Sequence, residues 1–117
     1  MTGITGATQI STGGFHSCAL LADGTIKCWG RNVEGALGDG YNADSNTPVT
    51  VTGTTGFFVR TLATQISTGF RHSCALFTDG IIKCWGYNFD GQLGNSTNTD
   101  STTPIAVTGI GGLVVSP

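Results

Sequence analysis

The chain has 117 residues, 19 of them glycine, with 10% charged side chains and a formal net charge of −2. Its five Lys and Arg form no basic cluster, which excludes the electrostatic footprint of a nucleic-acid binder. No apolar run approaches the ~20 residues that span a bilayer, and MTGITGATQ lacks the charged and apolar segments of a signal peptide, so no membrane partner is expected.

Abundant Gly, Thr, Ser and Asn with few helix formers favour short strands joined by tight turns, an all-β fold. In chain order the strands are ATQIS from Ala7, HSCALL from His16, TIKCWG from Thr25 and, after a polar loop, PVTVTG from Pro48. The set returns as ATQIS, HSCALF, IIKCWG and PIAVTG. Ala7–Gly53 aligns with Ala63–Gly109 without a gap at an offset of 56, and roughly two-thirds of the positions are identical. A period near 50 residues marks a propeller or solenoid, whose unit cannot bury its faces alone. TGITG at 2–6, TGTTG at 52–56 and TGIGG at 108–112 then divide the chain into repeats 1–56 and 63–117. FFVRTL at 57–62 reads as an insertion, and LVVSP at the C-terminus as its truncated counterpart.

Ala22, Asp23 and Gly24 suit a three-residue hairpin loop with glycine in the left-handed position. Leu21 then faces Thr25, and counting back places Cys18 opposite Cys28 at a non-hydrogen-bonded site, where Cα atoms lie about 4.5 Å apart. Gly80 closes the second copy, with Cys74 opposite Cys84. Two cross-strand disulfides are expected, which favours an extracellular or periplasmic setting. The alternatives are reduced buried thiols, or a zinc site completed by His16 and His72. Neither a C-x-x-C nor an H-x-x-x-H spacing is present, and no metal or cofactor is expected.

NVEGALG at 32–38 and NFDGQLG at 88–94 are turns in which glycine supplies positive φ, with Leu37 and Leu93 plugging each loop into the core. The polar loops DGYNADSNT and NSTNTDSTT carry acids and amides, but their spacing departs from that of an EF-hand, and solvated turns are expected. His16, Ser17 and Cys18 invite a nucleophile reading. Ser17 points to the opposite strand face from Cys18, however, and no partner acid is evident, so no catalytic residue is assigned.

The pattern G-x-x-H-S-C-A-L, D-G-x-x-K-C-W-G, N-x-x-G-x-L-G and T-P-V resembles the repeat of the regulator of chromosome condensation family, in its cysteine-containing form. The resemblance covers nearly the whole chain. It implies two four-stranded antiparallel β-propeller blades, with His16 and His72 holding the start of a strand by hydrogen bonding and Trp29 and Trp85 packed between blades. Complete members of the family commonly have seven blades, and two cannot close a ring. Both outer faces would stay wet, so either several copies assemble head to tail or the chain is a piece of a longer array; other copies are the expected partners. Three chains would make six blades and four would make eight, as a ring or running on as a filament. FFVRTL and LVVSP would act as a clasp between copies.

Recognition residues are sought where the copies differ beside a fixed frame: Arg31, Tyr41, Phe70, Arg71 and Tyr87, with Gly14 and Phe15 as counterparts of Phe70 and Arg71. Neutral drift between duplicates is the competing account. The expected function is a non-enzymatic structural or interaction module that self-assembles and presents loops to a protein or glycan. A carbohydrate-binding propeller would instead carry shallow aromatic pockets once per blade. Guanine nucleotide exchange, which the resemblance also raises, would require a complete propeller.

Overall fold

The computed structural model of the protein describes residues 6–54 and 62–107. Eight strands follow one another: β1 (Ala7–Thr12), β2 (His16–Leu21), β3 (Ile26–Gly30), β4 (Ser45–Thr50), β5 (Ala63–Thr68), β6 (His72–Phe77), β7 (Ile82–Gly86) and β8 (Ser101–Ala106). They form two antiparallel four-stranded sheets in simple sequential order, β1 to β4 and β5 to β8. The fold is all-β, with two blades side by side.

The hairpin between β2 and β3 follows from its turn. Gly24, at φ +88°, closes the loop, the Leu21 N–H donates to the Thr25 carbonyl at 2.8 Å, and Asp23 Oδ1 accepts from the Thr25 N–H at 3.0 Å. An L-side chain at that φ would be strained, which explains glycine there. From this closure Leu20 pairs with Ile26, Ala19 with Lys27 and Cys18 with Cys28. The same register repeats from Leu76–Ile82 to Cys74–Cys84. The sulfurs sit at bonding distance, 2.09 Å in the first blade and 2.06 Å in the second.

The fourth strand differs from its expected span. It runs Ser45–Thr50 rather than starting at Pro48, because a register shift between Cys28 and Gly30 lets Ser45 pair with Gly30. After Thr50 the chain tucks inward. Val51 is fully buried, the Thr52 N–H donates to the Gly38 carbonyl at 2.8 Å, and Gly53 turns the chain at φ +84°. β4 is an edge strand, where Pro48 and its missing N–H are tolerated. β8 repeats the shift.

Asn32 organises the long loop. Its buried amide donates to Asp39 Oδ1 and to the Tyr41 and Ala43 carbonyls, and its Oδ1 accepts from the Leu37 N–H at 2.9 Å. Asp44 Oδ1 accepts from the Asn32 N–H at 2.7 Å. Asn88, with Asp100, does the same in the second blade. These acids therefore close their own loops, and Leu37 and Leu93 are driven to full burial.

One apolar core spans both blades. Cys18, Leu20, Ile26, Cys28, Leu37 and Val51 come from the first, and Ala63, Ala75, Phe77 and Trp85 from the second. Equivalent residues therefore fare unequally. Cys18, Leu20 and Ile26 are buried while Cys74, Leu76 and Ile82 are half-exposed; Phe77 and Trp85 are buried while Leu21 and Trp29 are half-exposed. The front of the first blade lies on the back of the second, and the two remaining faces are open. The expected clasp, residues 57–62 and 113–117, lies outside the described residues apart from Leu62.

Candidate functional site

Two places bring the differing and duplicated residues together: the junction between the blades and the loop cluster at one end of it. At the junction the inner strands meet through side chains. The Gln9 amide donates to the Thr64 carbonyl at 2.9 Å and accepts from the Ile66 N–H at 3.2 Å. Ser11 Oγ accepts from the Thr68 N–H at 3.1 Å and bonds the Thr68 hydroxyl at 2.8 Å. The free edge of β5 is thus capped by side chains of the first blade rather than by another strand.

His16 extends this set. The resemblance gave it a role at the start of its own strand, but its ring reaches across, with Nε2 2.8 Å from the hydroxyl of Ser73. Ser73, only 1% exposed, donates its hydrogen to the Ala36 carbonyl at 2.9 Å. A hydroxyl has one hydrogen to give, so His16 must carry a proton on Nε2 and donate it. The G-x-x-H spacing also gains a reason. A Cβ on Gly13 would come within 2.6 Å of the His16 imidazole, and Gly69 holds the same relation to His72.

Burial lowers the pKa of His16 below its ordinary 6.5, with a nearby His72 charge acting in the same direction and a backbone hydrogen bond at His72 opposing both. Burial lowers that of His72 as well. Because the folded state holds both rings neutral, their contribution is complete above the unfolded pKa of about 6.5 and is lost as pH falls from there through the folded values. The urea midpoint of unfolding should drop between about pH 7.5 and pH 5.5. His16→Gln, whose amide still donates to Ser73, should flatten that drop. An unchanged slope would rule the buried imidazole out as its source.

The loop cluster gathers Phe15, Arg31, Glu34, Phe70, Arg71 and Tyr87. Phe15 and Phe70 meet edge to face at 5.3 Å. The Arg31 guanidinium lies 5.8 Å from the Phe15 ring, and that of Arg71 lies 5.5 Å from both Phe70 and Tyr87. Glu34 stands between the cations, 3.5 Å from Arg31 and 3.7 Å from Arg71. Phe15 and Phe70 remain more than half exposed. Of the expected recognition residues, Arg31, Phe70, Arg71 and Tyr87 converge here, while Tyr41 is 69% exposed on its own loop. Glu34 was not singled out from the sequence, because Asp90 holds the same charge in the second copy and the pair shows no change of chemistry. Beside the cluster, Phe70, Arg71, His72, Tyr87, Asp90 and Gln92 line an open cavity of about 360 Å³.

Trp85 is 1% exposed and lies over Gly38 of the first blade, where a Cβ would come within 2.6 Å of Nε1. Trp29, its equivalent, faces outward and is half-buried. Among the described residues no three His, Cys, Asp or Glu side chains converge as metal ligands.

The family model of the regulator of chromosome condensation (RCC1) repeat matches residues 7–36 and 63–92, and a second model of that repeat matches residues 23–76. The chain belongs to the RCC1 repeat family.

This RCC1-repeat chain is 35% identical over 104 residues to the ultraviolet-B receptor UVR8 of Arabidopsis thaliana, covering 89% of the chain and 23% of the receptor. It is 38% identical over 100 residues to the human probable E3 ubiquitin-protein ligase HERC3, covering 85% and 9% respectively. Among solved structures it is similar to human WBSCR16, with a TM-score of 0.79 at 29% identity over 92% of this chain and 27% of that one. Prp20p of Saccharomyces cerevisiae follows at 0.69 and 27%, over 88% and 25%. The RCC1-repeat chain spans about a quarter or less of these relatives, and it is a partial propeller of two blades.

Proposed function

We propose that this RCC1-repeat chain is a non-enzymatic interaction module, built of repeats 1–56 and 63–117 with 57–62 as the connector, that self-assembles with other copies. Three or four chains would complete a ring of six or eight blades, which presents the loop cluster around Arg71 to a protein partner. An extracellular or periplasmic setting would keep both cysteine pairs oxidised.

The observation that supports this reading is the unequal burial of identical residues: Cys74, Leu76 and Ile82 are half-exposed on a face whose counterpart in the first blade is sealed. Exposed apolar faces of this kind mark interaction sites. The proteins to which the chain is similar include Prp20p, whose structure is described with its binding to Gsp1p and histones. Protein binding by the loop cluster is our extension of that likeness.

Sedimentation equilibrium of the chain tests self-assembly. The expected mass is three or four times 12.0 kDa. A mass of 12.0 kDa at every concentration would contradict it.

A further inference from the structure

The open front of the second blade repeats, residue for residue, the polar set that holds the blades together. Gln65 and Ser67 stand where Gln9 and Ser11 stand in the first blade, and His72 stands where His16 does. Among the described residues the side chains of Gln65 and Ser67 make no hydrogen bond that would occupy them. The open back of the first blade repeats the other half. Thr8, Ile10 and Thr12 on the uncovered edge of β1 match Thr64, Ile66 and Thr68, and Ser17 matches Ser73.

We infer that the front of the second blade docks onto the back of the first blade of a second copy, in the register of the junction within the chain. Gln65 then bridges the partner copy's Thr8 carbonyl and Ile10 N–H, and Ser67 caps its Thr12. The His72 ring donates to its Ser17 hydroxyl, which donates in turn to the Gln92 carbonyl, the counterpart of Ala36. This deepens the self-assembly proposed above and rests on it.

The residues that differ between the repeats fit the same docking. Within the chain Phe70 lies over Gly14, so closely that a Cβ there would come within 2.4 Å of the ring. At the junction between copies the two positions exchange, and Phe70 of one chain meets Gly14 of the next. Each junction keeps one large and one small residue. Two phenylalanines would collide there, and two glycines would leave a gap. The junction between copies has no equivalent of the partly buried Arg71–Glu34 pair, because Phe15 of the incoming copy takes the place of Arg71 and Asp90 that of Glu34. The cavity lined by His72, Tyr87, Asp90 and Gln92 is the seat for that Phe15 loop. Such an interface joins two different patches, so it propagates rather than closing a dimer, and a ring forms where the rotation allows.

Two variants separate the faces. Ser67→Arg obstructs only the front, and Ser17→Arg only the back; each replaces an outward-facing residue of the single chain. Either variant alone should remain at 12.0 kDa under conditions in which the wild type is assembled. Mixed in equal amounts, well above the concentration that half-assembles the wild type, they should double in mass and stop there. The Ser17→Arg chain keeps a working front and the Ser67→Arg chain a working back, and formation of the mixed dimer also shows that both are folded. If each variant assembles as the wild type does, or if the mixture stays monomeric while the wild type assembles, the docking register is overturned and self-assembly stands. A monomeric wild type would overturn both.

Discussion

Replacing Trp85 by alanine should cost about 3–5 kcal/mol of stability in dilute solution, measured by urea unfolding, the range for deleting a large buried aromatic side chain. The indole is buried over Gly38 and belongs to the core shared by both blades. Trp29→Ala supplies the internal comparison. Trp29 pairs with Ser17 as Trp85 pairs with Ser73, in an identical hairpin register, but its indole lies on the open outer face. Its loss should cost roughly 1–2 kcal/mol, the transfer of a half-buried side chain. The gap between the two variants reports the junction alone, and equal losses would show that the blades do not stabilise each other.

Removing a cysteine pair should have the next largest effect. Each pair joins residues ten apart in the sequence, so the chain-entropy cost of the unconstrained unfolded state is the same for both. Cys18→Ala with Cys28→Ala, or Cys74→Ala with Cys84→Ala, should each lose about 2–4 kcal/mol in the same assay. Similar losses are expected although the native surroundings differ. Cys18 and Cys28 are sealed beneath the second blade, with the Ser73 hydroxyl 3.8 Å from Cys18 Sγ, whereas Cys74 helps to line an open cavity of about 210 Å³ with Ile66, Leu76 and Ile82. Stability reads the loop length, and reactivity reads the burial. A loss in one pair several times that in the other would contradict this separation.

What was legible in the sequence is what lies within one hairpin. The Asp-Gly turn sets the closure, the closure sets the count, and the count brings Cys18 to Cys28 with no knowledge of anything else. The start of β4 was not legible, because Ser45, Asn46 and Thr47 carry no alternation of apolar and polar residues, and only the shift at Gly30 gives them a partner. The junction was legible as a need rather than as a geometry. Alternation along β2 separates His16, Cys18 and Leu20 from Ser17, Ala19 and Leu21, but it does not say which face meets which. The contacts that decide this, from Gln9 to Thr64 and from His16 to Ser73, join residues 55 and 57 apart. Their only trace in the sequence is that Gln9 and Gln65, Ser11 and Ser67, and His16 and His72 are the same residues, and identity alone does not distinguish a role inside a blade from a role between blades. The loop cluster was found for a simpler reason. Arg31, Phe70, Arg71 and Tyr87 differ from their counterparts right beside the fixed G-x-x-H and C-W-G frame, and Glu34 escaped because its counterpart Asp90 keeps the charge.

The central claim, that another copy covers the open front of the second blade, is tested most directly by the rate at which a small thiol opens each disulfide as chain concentration rises. In dilute solution Cys74–Cys84 should open first, since Cys18–Cys28 is reached only when the blades part. As chains assemble, the outer pair becomes covered as the inner pair already is, and the two rates should converge. A ratio of rates that stays the same from dilute to concentrated solution would contradict the account.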